Sequence, residues 1–197
     1  AALSTGQVAA LTSVQINALA SDDLKALTTT QVRALTSDQL SKLSSDQIAL
    51  MATDDIAALS TGQISHLSTS AIAALTTAQA KALTTASINA LTSAQVTAIE
   101  TADLAAMSTA QLSKLGTAQV AQLTSVQVAA LTSGQVKSLN SDQVAALTSA
   151  QLNALTSSQL PSLSTAQVRA LTTDQLSKLT TTQIVGLSTA QVAALST

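Results

Sequence analysis

Polar and apolar positions recur along this chain with a fixed period of eight residues. Each of 24 successive copies reads Ser/Thr, Ser/Thr, a variable residue, Gln, Val/Ile/Leu, a variable residue, Ala and Leu, and we number these positions one to eight. The first copy begins at Ser4. Such a period is typical of a repeat array rather than of a domain with its own core. We therefore expect one continuous octapeptide array over residues 1–197, as a segment of a longer array.

Every repeat carries the start signal of a helix. In the second copy, Thr12 and Gln15 have the spacing of a capping box, in which the hydroxyl and the Gln side chain satisfy each other's backbone N–H groups. Leu11 and Ile16 have the spacing of a hydrophobic staple around the same cap. Position one is Ser or Thr in 19 repeats and position four is Gln in 19. Each helix then has room for about six residues before the next cap.

Two other folds compete with this interpretation. A single continuous helix would turn its apolar stripe by about 80° per repeat, so that no buried face could persist. A β-solenoid would place positions five and eight on opposite faces of a strand, because their spacing is odd. The pattern therefore predicts an all-α solenoid of 24 short capped helices, and the β-solenoid stays as the alternative.

The repeats are equivalent, since no alternation of period 16 appears. One screw operation then relates all of them, and short helices packed about 8–10 Å apart form a coil of roughly three to five repeats per turn. Positions five and eight, as at Val128, Leu131, Val136 and Leu139, should be the most buried. Positions three and six should face solvent. Pro161, at position six, predicts a local irregularity only.

Position two is Ser or Thr in all 24 repeats, which is more uniform than the cap itself. Capping does not explain this uniformity. The hydroxyl either bonds back to a carbonyl of the preceding repeat or pairs with a neighbouring coil, and the sequence leaves both open.

Composition narrows the function classes. Charged residues are 9% of the chain, against about 25% in a typical globular protein, and the net charge is −2. We therefore expect no nucleic-acid partner, and no apolar run is long enough to span a membrane. The chain has no aromatic residue and no cysteine. Because so few charges repel neighbouring copies, we expect self-association, end to end and also laterally.

Candidate chemical sites are few. His66 is the single histidine, and it has no second His or Cys with which to build a metal or catalytic site. Six acids crowd one stretch, and a coil of four repeats would stack Asp22 on Asp54, where a Ca²⁺ ion could bridge carboxylates. The six are Asp22, Asp23, Asp38, Asp46, Asp54 and Asp55. Lys42, Lys114 and Lys178 recur in the phrase Gln-Leu-Ser-Lys-Leu without forming a basic patch. We predict no catalytic, cofactor-binding or metal-binding residue and expect that the protein is not an enzyme.

The phrase Leu-Thr-x-x-Gln-Val-x-Ala-Leu, as in Leu147 to Leu155 with Leu152 at the Val position, resembles octapeptide arrays of very large bacterial surface or secreted proteins. Such proteins are often described as adhesin-like or haem-utilisation proteins. The resemblance covers the whole chain, and it implies an extracellular, structural or adhesive role. It carries over no haem site, since no haem-ligand pattern is present.

We therefore expect a structural repeat protein, an extracellular fibre or the stalk of a giant bacterial surface protein. The alternative is a non-enzymatic binding module whose regular Ser/Thr/Ala face recognises a glycan, ice or a partner chain.

Overall fold

The computed structural model describes residues 3–195, which contain 23 short α-helices, one 3₁₀ helix and no β-strand. Residues 1, 2, 196 and 197 lie outside the described residues. The chain divides into two compact units, the first ending at Ala106 and the second beginning at Met107. The all-α solenoid is confirmed in each unit, and the β-solenoid alternative is wrong, because the octapeptide forms a capped helix rather than a strand.

The first unit contains thirteen helices: α1 (Thr5–Ala10), α2 (Ser13–Asn17), α3 (Ser21–Lys25), α4 (Thr29–Arg33), α5 (Ser37–Lys42), α6 (Ser45–Leu50), α7 (Thr53–Ala58), α8 (Thr61–Ser65), α9 (Thr69–Ala73), α10 (Thr77–Ala82), α11 (Thr85–Ala90), α12 (Ser93–Ala98) and α13 (Thr101–Ala106). The second unit contains α14 (Thr109–Leu112), α15 (Thr117–Gln122), α16 (Ser125–Ala130), α17 (Ser133–Ser138), α18 (Ser141–Ala146), α19 (Ser149–Ala154), the 3₁₀ helix Leu160–Ser162, α20 (Thr165–Arg169), α21 (Thr173–Lys178), α22 (Thr181–Val185) and α23 (Thr189–Ala194).

The link between helices is two extended residues, at positions eight and one. Around α16, Thr124 has φ −72° and ψ 156° and Leu131 has φ −61° and ψ 144°. The Thr124 Oγ1 accepts from the backbone N–H of Gln127 at 3.1 Å, which begins the helix. The Leu131 N–H donates to the carbonyl of Val128 at 3.2 Å, which ends it. No described residue has a positive φ, so the chain reverses without needing glycine.

The helices wind into a coil of between three and four repeats per turn. In the first unit, each helix packs on the helix three repeats away, as in α2 on α5 and α10 on α13. The second unit follows the same rule, with α14 on α17 and α16 on α19. Side chains also reach carbonyl groups four repeats away, over 28 to 31 residues of sequence. This winding lies at the low end of the range that helix dimensions predict.

Positions five and eight form the core, as expected. Val128 and Val136 are 0% and 1% exposed, and Leu131 and Leu139 are 4% and 6% exposed. Residues at position three face solvent, and Val14 and Val126 there are 77% and 69% exposed. The interior is therefore a continuous set of Leu, Val and Ile side chains in each unit.

Pro161 changes its own helix and little else. Proline lacks an N–H and disfavours the α conformation in the residue before it, so this repeat forms the 3₁₀ helix Leu160–Ser162 instead of an α-helix. Leu160 and Leu163 remain 1% and 4% exposed. The prediction of a local irregularity is confirmed.

Candidate functional site

The glutamine at position four joins one coil to the next. In α12, Gln95 Oε1 accepts from the backbone N–H of Thr92 at 2.8 Å, which completes the predicted capping box. Its Nε2 donates to the carbonyl oxygens of Ile64 and Leu67, at 2.9 and 2.7 Å, four repeats earlier. Gln95 is only 2% exposed. The side-chain amide of Gln95 therefore pairs with a backbone N–H at the start of its own helix and with carbonyl groups at the end of another helix.

This contact recurs in both units. The contact stabilises the fold because the last carbonyl groups of any helix lack a hydrogen-bond partner within that helix. Here carbonyl groups at the end of a helix, such as those of Ile64 and Leu67, accept from the glutamine amide of a later coil. The glutamines that donate across 28 to 31 residues include Gln31, Gln39, Gln47, Gln63, Gln79 and Gln95 in the first unit, and Gln135, Gln143, Gln151, Gln159, Gln167, Gln175, Gln183 and Gln191 in the second.

The repeat pattern predicts only a capping role for this glutamine and does not predict the burial of its side chain. A signal for it exists in the sequence. Glutamate serves a capping box as well as glutamine does, yet the single Glu of the chain is Glu100 at position one. The preference for Gln over Glu at position four indicates that the NH₂ group of the amide has an acceptor, which the cap alone cannot supply.

The uniform hydroxyl at position two pairs with the following coil at several places, which answers the question that the sequence left open. Its partners lie three repeats later, either as a backbone carbonyl or as an acidic side chain. The bonds are Ser45 Oγ to Ser70 O at 3.2 Å, Ser133 Oγ to Ser158 O at 3.3 Å, Thr77 Oγ1 to Asp103 Oδ1 at 2.6 Å and Ser149 Oγ to Asp174 Oδ2 at 2.5 Å.

Two of the three aspartates at position four are buried. Asp55 and Asp103 are each 4% exposed, and they occur in repeats whose position one is not Ser or Thr. Burial raises the pKa of the Asp55 carboxyl above its usual range, and the nearby charge of Asp54 adds to the rise. Hydrogen bonds from Thr29 and from the backbone of Ala52 oppose this rise in pKa. Asp55 therefore titrates inside the stack of coils rather than in solvent.

The other sequence candidates do not come together as a chemical site. His66 is exposed at the end of α8, and its Nδ1 lies 2.7 Å from the carbonyl oxygen of Gly62. Asp22 and Asp54, the two acids that a coil of four repeats would stack, are both exposed. Within residues 3–195 no group of three or more His, Cys, Asp or Glu side chains is arranged to hold a metal ion. Lys42, like the equivalent Lys114 and Lys178, is exposed.

The part of the chain that the structure describes also contains no helix of the length and apolarity that a bilayer crossing requires. The interaction that distinguishes the fold is thus the Gln contact between coils.

Comparison with known proteins gives one family. A model of the ALTTAQ repeat matches residues 16–53, 48–85, 96–133, 129–157 and 149–181. Together these matches extend over residues 16–85 and 96–181, which is more than half of the chain. No curated protein matches the chain. The family match confirms the tandem-repeat interpretation and carries no information on an adhesive role.

Proposed function

The chain belongs to the ALTTAQ repeat family, and from that premise we propose that it is an extending structural element, the fibre or stalk of a large bacterial surface protein. The observation that supports this proposal most directly is the Gln contact. Wherever position four is Gln, one coil meets another through the same amide and the same carbonyl groups, so a further coil adds an equivalent interface without altering the earlier ones. Stability in such arrays is roughly a sum over repeats and their interfaces, and length can therefore grow freely.

The solvent-facing positions support a structural role as well. Positions one and three are exposed and consist mostly of Ser, Thr, Ala and Asp, whereas most of the apolar residues at positions five and eight are buried. Charged side chains make up 9% of the chain, so neighbouring copies repel each other weakly. This surface suits an inert, non-enzymatic stalk that bundles laterally.

A second copy of the chain that continued the coil would meet the first through the same Gln contact that builds each unit. End-to-end association through this contact is therefore part of the proposal.

Electron microscopy of the chain beside a tandem duplication of it tests the proposal. The fibre hypothesis predicts that the duplication doubles particle length at constant width, and that the single chain forms longer particles as its concentration rises. Antibody labelling of intact bacterial cells should reveal the parent protein at the surface. Two compact bodies on a linker, or labelling only after permeabilisation, would contradict the proposal. A concentration-independent monomer that binds a glycan would favour the binding-module alternative instead.

A further inference from the structure

A cavity of about 410 Å³ opens between coils of the first unit, where the regular Gln contact is interrupted. Its lining includes Leu59 from one coil, Thr84 and Ser87 from a later one, and the side chain of Arg33. Ser87 stands at position four of its repeat, where the flanking repeats have Gln79 and Gln95. The cavity therefore has a local cause, the replacement of one long amide side chain by a short hydroxyl.

The flanking repeats show what normally occupies this position. Gln79 accepts from the N–H of Thr76 at 2.8 Å and donates to the carbonyls of Ile48 and Met51, both at 2.8 Å. Gln95 makes the same three bonds at 2.8, 2.9 and 2.7 Å. In each of these two repeats, one backbone N–H and two backbone carbonyl groups therefore bond to a single side-chain carboxamide.

Ser87 does not replace these bonds. Its Oγ lies 2.8 Å from Thr84 Oγ1, so the hydroxyl is directed to its own cap. Within the described residues, no group accepts from the Thr84 N–H, and none donates to the Leu59 carbonyl. Ser87 itself is 1% exposed. Unpaired polar backbone groups that face a cavity are costly unless a ligand or water satisfies them.

We propose that this cavity is a binding site for a primary carboxamide. The carbonyl oxygen of the ligand accepts from the Thr84 N–H, and its NH₂ group donates to the carbonyls of Leu59 and Ile56, as the Gln amides do in the flanking repeats. The carboxamide comes from a free small amide or from the side chain of a Gln or Asn residue in a peptide. The site is independent of whether the chain forms a fibre.

Arg33 determines which carboxamides bind best. Its Nε donates to the Ala58 carbonyl at 3.2 Å, which holds the exposed guanidinium beside the cavity. Arg33 forms no ion pair within residues 3–195. A ligand that carries a carboxylate near its carboxamide, such as N-acetylglutamine, should therefore bind more tightly than its uncharged methylamide.

Titration of ¹⁵N-labelled protein with acetamide tests the site. Acetamide should shift the Thr84 and Ser87 amide resonances in a saturable way, whereas the Thr92 amide, which Gln95 already occupies, should not respond. N,N-dimethylacetamide has no N–H to donate to Leu59 and should shift these resonances at least tenfold less. Equal shifts at Thr84 and Thr92, or equal responses to both compounds, would overturn the proposal.

The Ser87→Gln variant provides the matched control, because glutamine is the residue that flanking repeats fold around. It should retain the circular dichroism of the parent and lose the acetamide response. An unchanged response in this variant would refute the assignment of the cavity.

Two further titrations separate the sources of the amide. N-acetylglutamine should bind several-fold more tightly than its methylamide, and Arg33→Gln should abolish that preference. This result would support a ligand with a free carboxylate, such as a chain-terminal Gln. Equal binding of the two compounds to the parent protein would disprove the role of Arg33.

Discussion

Replacing Gln95 by glutamate isolates the contact between coils from the cap. Glutamate keeps an oxygen that accepts from the Thr92 N–H, so the capping box survives. The NH₂ group becomes a second oxygen, which faces the carbonyls of Ile64 and Leu67 where Nε2 donates at 2.9 and 2.7 Å. The substitution therefore changes only the half of the side chain that reaches the earlier coil.

The expected loss in the free energy of unfolding has two parts. The two lost hydrogen bonds contribute about 0.5–1.5 kcal/mol each, or about 1–3 kcal/mol together. Gln95 is 2% exposed, so a carboxylate there is desolvated beside two carbonyl oxygens, and its pKa should rise by roughly two units, worth about 2.7 kcal/mol at neutral pH. We expect a total loss of about 4–6 kcal/mol at pH 7.

The loss should depend on pH. A folded-state pKa above the unfolded value means that the folded protein binds more protons, so stability falls as pH rises through that interval. Below about pH 4 the protonated acid can donate to one of the two carbonyls, and the loss should shrink to about 1–2 kcal/mol.

Urea unfolding followed by far-UV circular dichroism measures the effect, since the chain has no aromatic residue for fluorescence. Gln15→Glu is the matched control. Gln15 is exposed and caps Thr12 at 2.8 Å, but its Nε2 has no carbonyl partner in the described residues. This control should change stability by less than about 0.5 kcal/mol. Equal losses in the two variants, or a Gln95→Glu loss that is the same at pH 4 and pH 7, would refute the reasoning.

Three further predictions rest on the same structure. Thr124→Ala removes the acceptor of the Gln127 N–H and should cost about 0.5–2 kcal/mol without unfolding the array, as urea midpoints would show. Leu131→Asp should prevent normal folding by circular dichroism whereas Lys137→Asp is tolerated, because Leu131 is 4% exposed and Lys137 is exposed; equal tolerance would mean that inside and outside are misassigned. Because burial raises the pKa of Asp55, wild-type stability should fall relative to Asp55→Asn as pH rises from about 4 towards 7, and parallel pH profiles would contradict this.

The features that depend on one repeat alone could be predicted from the sequence. The capping box at Thr124 and Gln127, the short helix that follows and the buried pair Val128 and Leu131 all depend on residues within nine positions of each other. Local spacing is sufficient for such features, because helix caps and apolar periodicity act over one or two turns.

The contacts between coils could not be derived in the same way. Whether Gln95 meets Ile64 and Leu67 depends on the winding of the coil, and the winding emerges from packing of helices about 24 residues apart. The absence of Glu at position four indicated an acceptor, but it could not say which carbonyl. The cavity at Ser87 was unpredictable for the same reason, since a serine at position four gains meaning only once the coil-to-coil bond is known.

The link from Gln to a carbonyl 28 residues earlier has a consequence for inheritance. If replication slippage removes one whole octapeptide, the glutamines of the next four repeats meet the carbonyls of a different repeat, yet that repeat is equivalent and the bond forms again. A deletion that is not a multiple of eight residues places these amides opposite the wrong backbone position. Genes of this kind can therefore lengthen or shorten in steps of 24 nucleotides with little loss of stability in the encoded protein. Alleles should accordingly differ in length by whole repeats.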